Sequence, residues 1–90
     1  MTEPATDFIA ADIRKGETER CRVTLGQYKG HPTIDVRLYY DAGDAWRPSK
    51  SGVTLAARHL ATLKAGIDSA YNEARRRGVL DANDREDIRP

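Results

Sequence analysis

One cysteine, Cys21, among 90 residues excludes an internal disulfide and a cysteine-rich zinc site, and fits a reducing compartment. Histidine is almost as scarce. His31 and His59 lie far apart, and neither stands in a metal-ligand spacing such as His-Glu-x-x-His. No metal or other cofactor is expected. Gly26, Gly30 and Gly43 form no phosphate-cradling motif, and Asp35, two residues from Arg37, reads as a paired or cross-strand carboxylate rather than a catalytic acid. No catalytic residue emerges, so an enzyme is not expected. Long apolar runs are missing too: nothing approaches the ~20 apolar residues of a membrane span, and no N-terminal stretch resembles a signal peptide. A soluble, cytoplasmic protein is expected, nucleoid-associated if the source is prokaryotic. Even an excess of one charge is lacking, with 15 Lys and Arg against 14 Asp and Glu for a net +1.

That balance hides an uneven distribution. Residues 1–12 carry three acids and no base, residues 13–77 thirteen bases and seven acids, and residues 78–90 four acids and two bases. A basic middle lies between acidic ends. Ninety residues make one small domain, whose modest core would gain from oligomerisation. The expected organisation is a flexible acidic segment over 1–12, a folded domain over 13–80 and a charged tail over 81–90.

Within the middle, Arg20-Cys-Arg-Val-Thr-Leu25 alternates, with Cys21, Val23 and Leu25 on one face and Arg20, Arg22 and Thr24 on the other. A glycine-rich stretch around Tyr28 and Lys29 leads to Pro32, which suits a strand's first position, and then to the longest strand, Thr33 to Tyr40. Asp41 to Asp44 is a hairpin turn by composition. Ala45 to Pro48 predicts a short third strand, Ser49 to Gly52 a turn, and Val53 to Leu55 a fourth strand. Phe8 to Arg14 fits a short strand or one turn of helix. From Ala56 the apolar period becomes helical, with Leu60, Leu63, Ile67, Ala70 or Tyr71, and Ala74 recurring for about five turns. Arg75, Arg76, Arg77 and Gly78 mark its end, Thr54 is the nearest cap for its start, and Gly66 marks a close helix contact. The fold class is α+β, an antiparallel four-stranded meander followed by one long C-terminal helix. Leu60, Leu63, Ile67, Ala70, Tyr71 and Ala74 also fit a heptad-like seam, which points to a homodimer packed through the helices.

The chemistry left open is binding. Gripping a single nucleic-acid strand requires cations that track phosphates and exposed rings on which bases stack. Arg20, Arg22, Lys29, Arg37, Arg47 and Lys50 are interleaved with Tyr28, Tyr39, Tyr40 and Trp46. Tyrosine and tryptophan also favour strands for their own sake, and basic residues on a solvent face need no ligand. Composition alone leaves both readings open.

Three stretches decide between them: Arg-Val-Thr-Leu-Gly-Gln-Tyr-Lys-Gly, Ile-Asp-Val-Arg-Leu-Tyr-Tyr and Trp-Arg-Pro-Ser-Lys-Ser-Gly-Val-Thr-Leu, followed by the helix. Over residues 20–67 their order and spacing resemble the single-stranded-DNA-binding domain of the positive-cofactor-four transcriptional coactivator family. The resemblance implies a curved four-stranded sheet, a homodimer through the helices, and binding of single-stranded or melted DNA (or RNA) with little sequence preference. It also implies a role as a transcriptional coactivator or regulator, or as a protector of melted DNA, with the transcription machinery as a further partner. Tyr28 stands at a stacking position, Lys29 at a basic one, Arg37 on the central strand, Tyr40 in place of a tryptophan, and Arg47 and Lys50 on a basic turn. His31 and Ser51 replace lysines. Strict alternation sets Tyr40 opposite Arg37, so both reach DNA only if the strand is bulged or strongly twisted near Leu38; without either, Tyr39 is the better stacking candidate. The alternative function is a protein-interaction module that contacts transcription machinery without direct nucleic-acid binding.

Overall fold

Alternation and register build one sheet from four strands, β1 (Phe8–Arg14), β2 (Glu19–Tyr28), β3 (His31–Asp41) and β4 (Trp46–Ala56), paired antiparallel in the order β1-β2-β3-β4. A 3-10 turn, Ala57–His59, leads from β4 into a single helix, α1 (Leu60–Arg77). The computed structural model describes residues 7–80; the charged tail expected over 81–90 lies outside them. The fold class agrees with the sequence pattern, but the strands are cut differently. The segment left open at Phe8–Arg14 is β1, so the domain boundary expected at residue 12 falls inside a strand. The two short strands and intervening turn expected between Ala45 and Leu55 are one continuous strand, β4.

Side chains opposite one another in an antiparallel pair share a face. Cys21, Val23 and Leu25 of β2 oppose Leu38, Val36 and Ile34 of β3. Ala11 and Ile13 extend the row onto β1, and Leu55 and Val53 onto β4. One face of the sheet is therefore apolar. Lys29 (φ 50°) and Gly30 (φ 83°) form a two-residue hairpin with both central residues left-handed, the turn whose twist matches its flanking strands. β2 consequently runs on through Gly26 and Gln27 to Tyr28. Pro32 is the second residue of β3, not the first; it pairs with Gln27, and β4 pairing ends one residue later at Thr33, so no ladder bond is asked of it on that side. At the other hairpin Gly43 (φ 94°) donates its backbone N–H to Asp41 Oδ1 at 2.8 Å, and Ala42 donates to Ala45 O at 2.9 Å.

The turn residues inside β4 are absorbed as a bulge. Between Arg37↔Gly52 and Tyr39↔Pro48, β3 advances two residues while β4 advances four. Ser51 N–H donates to Ser49 Oγ, and Arg37 Nη1 donates to Ser49 O, each at 3.0 Å, which holds the extra residues in place. Gly52 is needed where the strand returns to register. A Cβ there would lie 2.7 Å from Val36 O and 2.8 Å from Arg37 Cα. Gly52→Ala is expected to cost ~1–3 kcal/mol, as overpacking against unyielding backbone does; an unchanged urea midpoint would show that β4 can step aside.

The helix ends as its sequence predicts. Gly78 is left-handed (φ 72°), its N–H reaches Ala74 O and Arg75 O, and Val79 N–H returns to Ala74 O. Its start differs. Thr54 is a strand residue, and the N-cap position is His59, which makes no side-chain cap bond. Lys64–Asp68 at 3.0 Å and the pairing of Glu73 with Arg76 and Arg77 line its polar side. Hydrogen bonds from Arg76 and then Arg77 hold the Glu73 carboxyl below its ordinary range.

Very little is buried. Among the described residues only Ile34 is a buried hydrophobic, and α1 contributes no buried residue. The radius of gyration is 14.9 Å, against about 11–12 Å for a compact domain of this length. Ile67 (62%), Tyr71 (55%) and Val53 (50%) stand open to solvent. The apolar sheet face and the apolar side of the helix are both present, and the described residues leave them largely uncovered.

Candidate nucleic-acid interface

The register assigns the candidate side chains to faces. Arg20 pairs with Tyr39, Arg22 with Arg37, and Tyr28 with His31 across β2 and β3. Tyr39 pairs with Pro48 and Asp41 with Trp46 across β3 and β4. Arg20, Arg22, Tyr28, His31, Arg37, Tyr39 and Trp46 therefore share the face opposite the apolar one. Their types follow from β2 and β3 alternating apolar and polar with period two.

Cations and rings on this face are stacked. The Arg20 guanidinium lies 4.8 Å from the Trp46 ring centroid and that of Arg22 lies 4.7 Å from the Tyr39 centroid, within the range of a cation–π contact. Asp12 of β1 anchors both, at 3.1 Å to Arg20 Nη1 and 3.4 Å to Arg22 Nε. The second contact is an ion pair without a hydrogen bond, since Asp12 Oδ1 and Arg22 Nε are both buried and unsatisfied. At the hairpin tip Tyr28 is 65% exposed, with Lys29 Nζ 5.4 Å from its ring centroid.

Arg37 is held inside the sheet surface. Nε and Nη2 donate to Asp35 at 3.0–3.3 Å, Nη1 to Ser49 O at 3.0 Å, and Nη2 to Thr54 Oγ1 at 3.2 Å. Thr54 Oγ1 in turn donates to Asp35 Oδ1 at 2.5 Å. The Asp35 hydrogen bonds raise the guanidinium above its ordinary value, with desolvation opposing them. Asp35 is thus the paired carboxylate that its position beside Arg37 suggests.

Other candidates do not join this array. β2 and β3 pair without interruption from Glu19↔Tyr40 to Tyr28↔His31, and the bulge that alternation demands near Leu38 lies on β4 instead. Tyr40 therefore shares the apolar side with its partner Arg47, and Tyr39 stands beside Arg37 on the polar side. Arg47 is paired to exposed Asp44 at 3.2 Å. Lys50 is exposed within the β4 bulge. On the helix, Leu63 and Ala74 are half-buried and Leu60, Ile67, Ala70 and Tyr71 are exposed. Leu63, Gly66 and Ile67 share an apolar groove with Leu55 and His59. Gly66 meets no close neighbour, since a Cβ there would find nothing within 4 Å.

Asp12 escaped the sequence reading. It lies in a segment whose alternation is broken by a register shift between Ile9 and Ala11, and no local signal ties it to Arg20 and Arg22. No group of three or more His, Cys, Asp or Glu with the arrangement of a metal site occurs among the described residues. No helix there is long and apolar enough to cross a membrane.

Comparison with known proteins gives the arrangement its context. The family model described as transcriptional coactivator p15 (PC4) matches residues 15–66. The crystal structure of a PC4 homolog from Burkholderia pseudomallei, in its orthorhombic form, is 27% identical with a TM-score of 0.65, and the match covers 80% of this chain and 99% of that one. The tetragonal form of the same homolog is 28% identical with a TM-score of 0.62, covering 73% and 98%. A search of the curated proteins finds no match.

Proposed function

The chain belongs to the transcriptional coactivator p15 (PC4) family, and from that membership we propose that it binds single-stranded or locally melted DNA with little sequence preference, as a homodimer, in the regulation of transcription. The observation that carries the proposal is the stacking of Arg20 on Trp46 and of Arg22 on Tyr39, on the same open face as Tyr28 and Arg37. An unpaired strand offers phosphates to the guanidinium groups and flat bases to the rings. Phosphate contacts release counterions, and each stacked base contributes ~1–3 kcal/mol. Arg22 is paired to Asp12 by charge without a hydrogen bond, so a phosphate reaching it breaks no hydrogen bond to that carboxylate.

The homodimer reading is supported by what the described residues leave uncovered. The apolar sheet face, the groove beside Leu63 and Ile67, and the open surface at Gly66 need a cover of matching shape and apolarity. A second copy supplies the same helix stripe, so that the pairing is self-complementary. Two polar faces in one particle then give a longer track for a strand.

The test is a titration of labelled single-stranded and duplex oligonucleotides of mixed sequence at two salt concentrations. The single strand should bind more tightly than the duplex, with affinity falling as salt rises. Salt-independent binding, or a preference for intact duplex, contradicts the proposal.

A further inference from the structure

Between Tyr28 and Tyr39 the polar face sinks into a depression of about 230 Å³. Its origin is the short side chains of two adjacent rows. One row runs Gly26–Thr33–Ala56 and the next Thr24–Asp35–Thr54 across β2, β3 and β4. Tyr28, Tyr39 and Gln27 also line it, and the Asp7 carboxylate lies over Gly26, with Oδ1 2.8 Å from where a Cβ would stand. The volume is a little below the ~300 Å³ at which drug-sized sites begin, a size suited to one base rather than a larger ligand.

The lining is selective in its chemistry. It contains carboxylates, hydroxyls and phenol rings, and neither a lysine nor an arginine. The Arg37 guanidinium that pairs with Asp35 is spread across Asp35, Ser49 and Thr54. A phosphate would meet the Asp7 carboxylate here and find Asp35 already taken up by Arg37. A donor-bearing edge meets acceptors instead. Asp35 Oδ1 already accepts from Thr54 and twice from Arg37, whereas Oδ2 accepts only from Arg37 Nε at 3.1 Å and keeps lone-pair capacity. Cytosine presents an N4 amine to such an acceptor, while thymine presents O4 and a methyl group at the equivalent edge. The ring acceptors of cytosine suit the hydroxyls of Thr24 and Thr33.

We propose that this depression is a base pocket that takes one unpaired nucleobase by its amino edge, cytosine best, with Asp35 as the acceptor and Tyr28 and Tyr39 as its walls. This rests on the single-strand reading above and adds to it a modest base preference, superimposed on contacts that ignore sequence. The phosphate grip belongs to the neighbouring arginine rows and the base reading to this one.

The experiment compares oligodeoxycytidine and oligothymidine of equal length, bound to the full chain at neutral pH over a range of salt. Oligodeoxycytidine should bind about fivefold to tenfold more tightly, the low end of discrimination by a good base contact. Both should show the same salt slope, because the phosphate contacts are shared. Asp35→Asn, which replaces one acceptor oxygen by a donor, and Thr33→Val, which leaves the Arg37–Asp35 pair intact, should each bring the ratio toward one. Equal affinity of the unaltered chain for the two polymers overturns the pocket and leaves single-strand binding standing. Failure to bind either in a salt-dependent way overturns both.

Discussion

Ile67→Glu is expected to convert the protein to monomers that melt at markedly lower temperature than the parent. Ile67 is 62% exposed on the single chain and lines the apolar groove with Leu55 and Leu63. In a dimer paired through α1 this side chain would be covered, and a glutamate there would carry an uncompensated charge into an apolar contact. Such a charge costs on the order of 3–5 kcal/mol. Few other contacts are present to absorb the loss. With Ile34 the only buried hydrophobic among the described residues, the single chain has almost no core, so folding and association are expected to be coupled and the melting temperature of the parent to rise with protein concentration. Sedimentation and melting at two concentrations read both effects. A dimer that survives Ile67→Glu would remove the helix stripe from the interface and shift it to the apolar sheet face.

The second large effect is expected at Tyr28. Tyr28→Ala should weaken single-strand binding by ~1–3 kcal/mol at constant salt, the usual contribution of one stacked base. The salt slope should hold, because no phosphate contact is removed. The position is well suited to this test. Tyr28 is 65% exposed at the hairpin tip, so its removal opens no cavity and the melting temperature should barely move. Tyr28→Phe keeps the ring and should keep the affinity. Tyr40→Ala is the contrast: Tyr40 shares the apolar side with Arg47, and its loss should spare oligonucleotide affinity. An affinity unaltered in Tyr28→Ala would falsify the stacking role and leave the tyrosine an ordinary surface residue.

Both expectations rest on features with different visibility in the sequence. The stripe Leu60, Leu63, Ile67, Ala74 and the terminating Gly78 could be read directly, because helical period and a left-handed cap are properties of neighbouring residues. The alternation of β2 and β3 was equally plain, and with it the separation of Arg20, Arg22 and Arg37 from Val23, Val36 and Leu38. Tyr39 and Tyr40 could be separated only by knowing which strand carries the irregularity. It is β4, where Ser49 to Gly52 has the composition of a turn yet runs on as strand because Arg37 reaches across to Ser49 O. β1 was obscured in the same way, by a register shift between Ile9 and Ala11.

Sequence alone determined the fold class, the end of the helix and the types of side chain carried on each face of the two long strands. These depend on periods of two and 3.6 residues, which are set within a few positions of each residue. The tertiary structure decided which acid restrains which cation: Asp12 with Arg20 and Arg22, Asp35 with Arg37 and Thr54. It also decided where short side chains on three strands line up to leave a hollow between two rings. Those outcomes depend on the register between strands, which cross-strand contacts fix and no local period encodes.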